Sequence, residues 1–376
     1  MKTEQRSFNP ASGWKVRSGG LAGLAPQFVL AFGGRHLLAN PVALDEVRRV
    51  YPGARVIAAS TSGEITGTEV TEDQLTVTAV ALAKTRVACA ATTVAGAAGS
   101  FAAGRALATQ LLGPGLAHVF VVSDGALVNG TELARGFNES LPAGVALTGG
   151  LAGDGARFEQ TLVGLDEPPV SGRVVAIGFY GGHLRVGIGS AGGWSPFGPE
   201  RVVTKSAGNV LTELDGQSAL GLYKNYLGDQ AAALPGSALR FPLSVTPAGG
   251  GQPVVRTILS IDDQAESMTF AGDIPTGARV RFMRASYEDL IDGAAAAAGQ
   301  TANGAEPELV ICVSCVGRRI VLGQRTEEET EIVRDTLGTA AAVTGFYSYG
   351  ELAPSGGSGA CQLHNQTMTI TTLSEA

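Results

Sequence analysis

The chain has 376 residues, of which 53 are glycine and 16% are charged, with a formal net charge of −7. That length suits two domains of ordinary size, and an acidic balance without any basic run excludes the clustered Lys and Arg of a nucleic-acid binder. The start, MKTEQRSFNP, has no apolar h-region, and no stretch reaches the roughly 18–20 apolar residues of a membrane helix, so a cytoplasmic protein with no membrane segment is expected.

Taken in chain order, residues 1–23 read as an N-terminal extension. FVLAFG (Phe28–Gly33) is a buried-strand run, and NPVALDEVRRVY offers Asn40 as a cap with Pro41 at the first helical position. RVIAAS is a second strand, STSGEITG (Ser60–Gly67) the loop that leaves it, and QLTVTAVAL a third strand with period-two alternation. The same order recurs at AHVFVVSDG, a helix over 131–140, AGVALTGG, the loop LAGDG and FEQTLVGL. A third copy runs through ELVICVSCVG, a helix opened by Thr326 with acidic residues in its first turn, AAAVTGFYS, the loop YGELAP and HNQTMTITTL. Between the second and third copies, residues 173–194 read as a hairpin turning at Gly181-Gly182, and Thr204–Gly228 as a polar turn that becomes a helix carrying Leu220, Tyr223 and Leu227. A domain boundary falls near residue 205.

The repeated feature is a glycine-containing loop at the carboxyl end of a central strand, where α/β proteins hold ligands. Ser60, Ser62 and Glu64 can equally cap a turn in which Gly63 supplies a positive φ. No G-x-S-x-G elbow, Walker loop or H-E-x-x-H motif occurs, and GGSG (Gly356–Gly359) is too short for a dinucleotide fingerprint, so no nucleotide cofactor is expected. The four cysteines are too few and scattered for a secreted disulfide framework. Cys312 and Cys315 form C-x-x-C within a strand-like run, whose alternation sends them to opposite faces and argues against zinc. The chain is therefore read as a ligand-binding protein and not an enzyme, although Ser62 and Cys315 stand at strand ends where a nucleophile could sit.

The ordered series STSGEI, VVSDG, TGGLAGDG, GGW-SPFGPERVVTKSAGNVLTELDG, LYKNYLG, RFPL, FAGDIPTGARVRFM, SC-GRR, GFYSYGELAP and HNQTMTITTL resembles the FIST family, with FIST-N and FIST-C domains, over nearly the whole chain from residue 24. The resemblance implies a FIST-N-like domain over 24–204 and a FIST-C-like domain over 205–376. It also implies a bacterial sensory protein, of a stand-alone type related to haem proteins that sense nitric oxide and act on a partner histidine kinase or cyclic-di-GMP protein. By the same resemblance the ligand-binding positions are Ser60, Gly63, Glu64, Arg318, Tyr349, Gly350, Glu351, His364 and Asn365. For haem, His183 is the first candidate axial ligand, with Arg185 on its strand face as a propionate partner, and His364 is the second. The alternative ligand is a small polar metabolite such as an amino acid, its amine on Glu64 or Glu351 and its carboxylate on Arg256 or Arg318; a hydrolase-like enzyme is the remaining alternative. The expected architecture is α/β, with two domains, each a mixed β-sheet flanked by helices and built from repeated strand-helix-strand units.

Overall fold

The structure is a computed structural model and describes residues 1–355 and 359–376; residues 356–358, the first three of the GGSG run, lie outside the described residues. The protein is α/β; its three six-stranded sheets each mix parallel and antiparallel pairing, while a fourth, eight-stranded sheet is antiparallel.

The three repeated units are each visible as a strand, a helix and a second strand parallel to the first. Phe28–Gly33 pairs in parallel with Arg55–Ser60, Leu116–Ser123 with Ala146–Leu151, and Leu309–Cys315 with Ala342–Ser348. The helices between them are Pro41–Val50, Gly130–Ser140 and Thr326–Leu337. The Asn40 side chain accepts from the backbone N–H of Val42 with Pro41 at the first position, as the local sequence requires. An antiparallel strand then flanks the first strand of each unit: Leu75–Ala81, Arg173–Tyr180 and Met368–Glu375 respectively.

The units interlock in a ring. The segment after the first unit's second strand, Glu64–Thr66, pairs with the third unit's Ala342–Ser348. The segment after the second unit's, Val163–Leu165, pairs with the first unit's Arg55–Ser60. The segment after the third unit's, Gly350–Pro354, pairs with the second unit's Ala146–Leu151. Each sheet is thus completed by the preceding or following unit, and none is a free-standing domain sheet. YGELAP, expected as a loop, is consequently a buried strand, because its backbone groups are used by residues 149–151 on one side and 361–364 on the other.

One face of all three sheets points inward. Phe28, Leu30, Phe32, Ile57, Phe120, Val122, Ile177, Phe179, Ile311, Val313, Phe346 and Leu373 form a single central core, while the outer faces pack on helices. Cys312 faces the outer helices and Val313 the centre, as strand alternation demands.

Residues 173–194 do contain two strands and the Gly181-Gly182 turn, but the expected hairpin does not form. Arg173–Tyr180 pairs with 86–93 and 116–123, whereas Leu184–Ala191 pairs with 368–375 in a different sheet. The turn carries the chain across a corner of the ring. Residues 2–9 and 13–19 pair with each other, and 2–9 also with 75–81, extending the first sheet.

Residues 195–284 form a smaller lobe, with a long strand Ser195–Ala207, further antiparallel strands and the helix Ala219–Leu227 around their own apolar core. Residue 205 lies inside that long strand. The chain then returns through the helix Tyr287–Gln300 to complete the third unit.

Candidate functional site

The three strand-end loops meet at one end of the ring, and their backbones are bonded to one another. The Ser62 N–H donates to Tyr347 O at 2.8 Å, Gly153 N–H to Ser60 O at 2.9 Å, and Tyr349 N–H to Leu151 O at 3.1 Å. Gly63 has φ +133°, and a Cβ there would lie 3.0 Å from Nε of Arg319, whose guanidinium donates to Ser62 O at 2.6 Å.

Glu64 and Glu351 occupy equivalent places. Glu64 stands opposite Phe346, Glu351 opposite Gly150, and the third such place, opposite Ala59, is Val163. Both carboxyls are enclosed. Glu64 accepts from Thr61 Oγ1 at 2.7 Å, Thr71 Oγ1 at 3.2 Å and the Gln74 N–H at 3.3 Å. Glu351 accepts from Ser348 Oγ at 2.6 Å and from the Thr367 N–H and Oγ1 at 3.2 and 3.0 Å. Burial pushes Glu64 up to about 7 and Glu351 up to about 8, outweighing the hydrogen bonds that pull them down.

The remaining resemblance-derived positions are also built into the protein. Ser60 Oγ accepts from the Leu162 N–H at 2.9 Å. Arg318 is fully buried; its Nε meets Glu329 at 2.8 Å and its other nitrogens donate to the carbonyls of Gly192, Gln366 and Leu290. Arg256 donates Nε to Asp273 O and Nη1 to the carbonyls of Val255 and Leu363, and it lines a cavity of about 410 Å³ together with Asp273 and Leu363. Glu64, Glu351 and Arg318, by contrast, are enclosed among partners within the protein. Tyr349 hydroxyl bonds Asp154 and accepts from the Phe158 N–H at 3.0 Å, and its ring stacks on Phe158 at 4.5 Å. Gly350 lies against Leu363, and Asn365 is wholly buried.

The candidate axial histidines each engage a backbone carbonyl through one ring nitrogen. His183 is exposed, with Nδ1 3.1 Å from Ala376 O, and the Arg185 guanidinium turns back to Gly182 O at 2.9 Å. His364 is buried with Nε2 3.1 Å from Ala353 O, and burial pushes its pKa down to about 4. His118 is enclosed and bonded to Thr148 Oγ1 at 3.0 Å, and His36 is exposed beside Asp73 at 3.5 Å.

What the structure does open beside the loops is a cleft of about 310 Å³ between the ring and the smaller lobe. Ala156, Phe158 and Ile320 line it from the ring, and Pro235, Gly236, Leu239, Ile258 and Leu259 from the lobe. Phe158, Leu259 and Ile320 are 42, 40 and 41% exposed, so three of the chain's exposed large apolar side chains converge on one concavity. Such convergence marks a binding surface more strongly than scattered apolar residues do. A groove of about 440 Å³ between residues 15–18, 66–69 and 334–343 is instead lined largely by polar groups, among them the Arg17–Glu69 ion pair. Sequence reasoning did not single out Phe158, Leu259 or Ile320. For Phe158 and Ile320 the available signal was their position just after the loop LAGDG and the run SC-GRR, without any indication that a distant lobe carrying Leu259 faces them.

Residues 27–217 match the FIST N domain and residues 219–354 the FIST C domain. Two proteins of Mycobacterium tuberculosis, from strains CDC 1551 / Oshkosh and ATCC 25618 / H37Rv and both described as uncharacterized, are 26% identical to this chain over 249 residues. The aligned part covers 63% of this chain and 63% of each relative, so the chain spans less than two thirds of their length.

Proposed function

We propose that this chain, which belongs to the FIST family of sensory domains that bind small ligands, takes an organic ligand with an apolar body into the cleft between ring and lobe. The observation that carries this reading is the convergence of Phe158, Leu259 and Ile320 from two separately packed cores onto one cleft. Burying those side chains against a ligand favours the closed arrangement of the two bodies, and a ligand shifts such an equilibrium by its differential affinity for the two states. The signal then passes to a partner; a histidine kinase or a cyclic-di-GMP protein is the partner the family resemblance suggests.

Calorimetric titration of the full chain with octanamide and octanoate tests the reading. Binding to the wild-type chain, weakened at least tenfold in Ile320→Asp, is expected. Unchanged affinity in that variant would place the ligand elsewhere. The haem-based reading returns if protein expressed with haem available carries a Soret band that is lost in His183→Ala or His364→Ala.

A further inference from the structure

The cavity of about 410 Å³ beside Arg256 also lies where the ring meets the smaller lobe, and it shares no lining residue with the cleft. The helix Gly130–Ser140 and the strand Cys361–His364 wall it from the ring, and residues between Val245 and Arg256 together with Asp273 and Pro275 wall it from the lobe. Val245, Pro247, Val254, Pro275 and Leu363 give it apolar sides.

Into these surroundings the lobe places a cation that lacks a counter-charge. Two arginines are buried among the described residues: Arg318 meets Glu329 at 2.8 Å, whereas Arg256, 5% exposed, has no described carboxylate within 4 Å of its guanidinium. The Arg256 Nε donates to Asp273 O at 3.3 Å, and Nη1 donates to Val255 O and Leu363 O at 3.2 and 2.9 Å. Those carbonyls hold the group in place without neutralising it. Its Nη2, which carries two N–H groups, makes no hydrogen bond among the described residues and is not one of the orphaned atoms sealed from solvent, so it is left to the cavity that Arg256 lines. Room for the guanidinium comes from Gly272, where a Cβ would lie 2.7 Å from Nε. Burial pushes the Arg256 pKa down to about 10, which leaves it a cation at neutral pH. An uncompensated buried charge is strongly destabilising, and an anion entering the cavity relieves it.

The geometry also restricts the anion. Nε and Nη1 are turned to carbonyls, so the two-nitrogen grip through Nε and Nη2 is closed and only Nη2 remains for a ligand. One unpaired positive charge matches a monoanion. Asp273, the one acid in the lining, holds Oδ1 3.4 Å from Asn129 Nδ2, and its charge opposes a second negative group on the ligand. Arg135, on the ring side, is already paired with Glu132 at 2.7 Å. We propose that this cavity is a second ligand site, independent of the cleft, which takes a small organic monocarboxylate with its carboxylate on Arg256 Nη2 and its aliphatic chain between Val254, Pro275 and Leu363. Arg256 belongs to the lobe and holds Leu363 O of the ring, so a ligand seated there adds to the contact between the two.

Calorimetric titration of the full chain at pH 7 with hexanoate, hexanamide, adipate and inorganic phosphate tests the site. Hexanoate is expected to bind, and the other three at least tenfold more weakly. Its affinity is expected to fall at least tenfold in Arg256→Met and to stay level in Ile320→Asp. Gln362→Glu changes an exposed residue of the cavity wall, adds a negative charge there, and is expected to weaken hexanoate at least threefold; it decides the question should Arg256→Met fail to fold. Hexanoate binding that is lost in Ile320→Asp but intact in Arg256→Met and Gln362→Glu would belong to the cleft and overturn the second site alone. No hexanoate binding to the wild-type chain, equal binding of hexanamide, or tighter binding of adipate or phosphate would each overturn the inference. A lowered melting temperature in Arg256→Met with hexanoate affinity unchanged would make Arg256 a packing residue and overturn it as well.

Discussion

Replacing Glu64 and Glu351 by glutamine tests the electrostatics of the loop junction. Each carboxyl ionises near 4.5 in the unfolded chain, whereas burial raises Glu64 to about 7 and Glu351 to about 8 in the folded one. The folded state therefore holds protons that the unfolded state has released, and stability falls as pH rises from 4.5 through the folded values. Between pH 5 and 8 the loss is about 2–3 kcal/mol for Glu64 and about 3–4 kcal/mol for Glu351. Glutamine is accommodated geometrically. In Glu351→Gln the amide oxygen keeps the Thr367 N–H and hydroxyl, and the amide nitrogen donates to Ser348 Oγ, whose hydrogen can rotate away. Thermal unfolding followed by circular dichroism should show a wild-type midpoint that declines from pH 5 to 8, with a shallower decline in each single variant and the shallowest in the double variant. An undiminished slope in the double variant would mean both carboxyls are ionised throughout, and would refute the assignment of burial as the dominant cause.

Arg318→Met strips the buried Glu329 of its charge partner, leaving only the hydroxyls of Ser314 and Tyr347, and should cost about 3–5 kcal/mol in urea unfolding. Burial raises all four thiols, Cys89 to about 12 and the others further, so a disulfide exchange reagent at pH 8 should react with well under one thiol per native chain and with four after denaturation. Tyr349→Phe removes a hydroxyl that serves Asp154, Gly155 O and the Phe158 N–H, and should lower stability by about 1–3 kcal/mol. It should also loosen Phe158 at the rim of the cleft, which limited proteolysis within residues 156–159 would report.

The parts of this fold that were legible in the sequence are those decided within a few residues. The strands Phe28–Gly33 and Arg55–Ser60, the Asn40-Pro41 cap and the helix opened at Thr326 stand where the local pattern puts them. Their repetition in three copies was readable for the same reason. Pairing was not readable, because it joins residues far apart: the Gly181-Gly182 turn is real, yet its flanking strands find partners at 86–93 and 368–375. The strand Lys2–Asn9 escaped notice because its inward side chains are polar. Gln5 is buried but donates to Thr78 Oγ1 and Val343 O and accepts from Ser18, so its side chain needs no apolar pattern to be enclosed. At the site, the loops were found, but their acids and Arg318 turn out to face partners within the protein.

That inward use of polar residues follows from the ring. Three strand-end loops converging on one point bring many backbone donors and acceptors into a small buried volume, and each must be satisfied there. Ser60, Thr61, Ser62, Glu64, Ser348 and Glu351 do this work for neighbouring loops, which is why a recurring glycine-and-acid loop reads like a pocket in sequence yet closes on itself in space. The apolar cleft opens beside the junction, where the inserted lobe 195–284 adds a wall that no repeated unit possesses. The symmetry of the ring builds the scaffold, and the one element that breaks it makes the cleft.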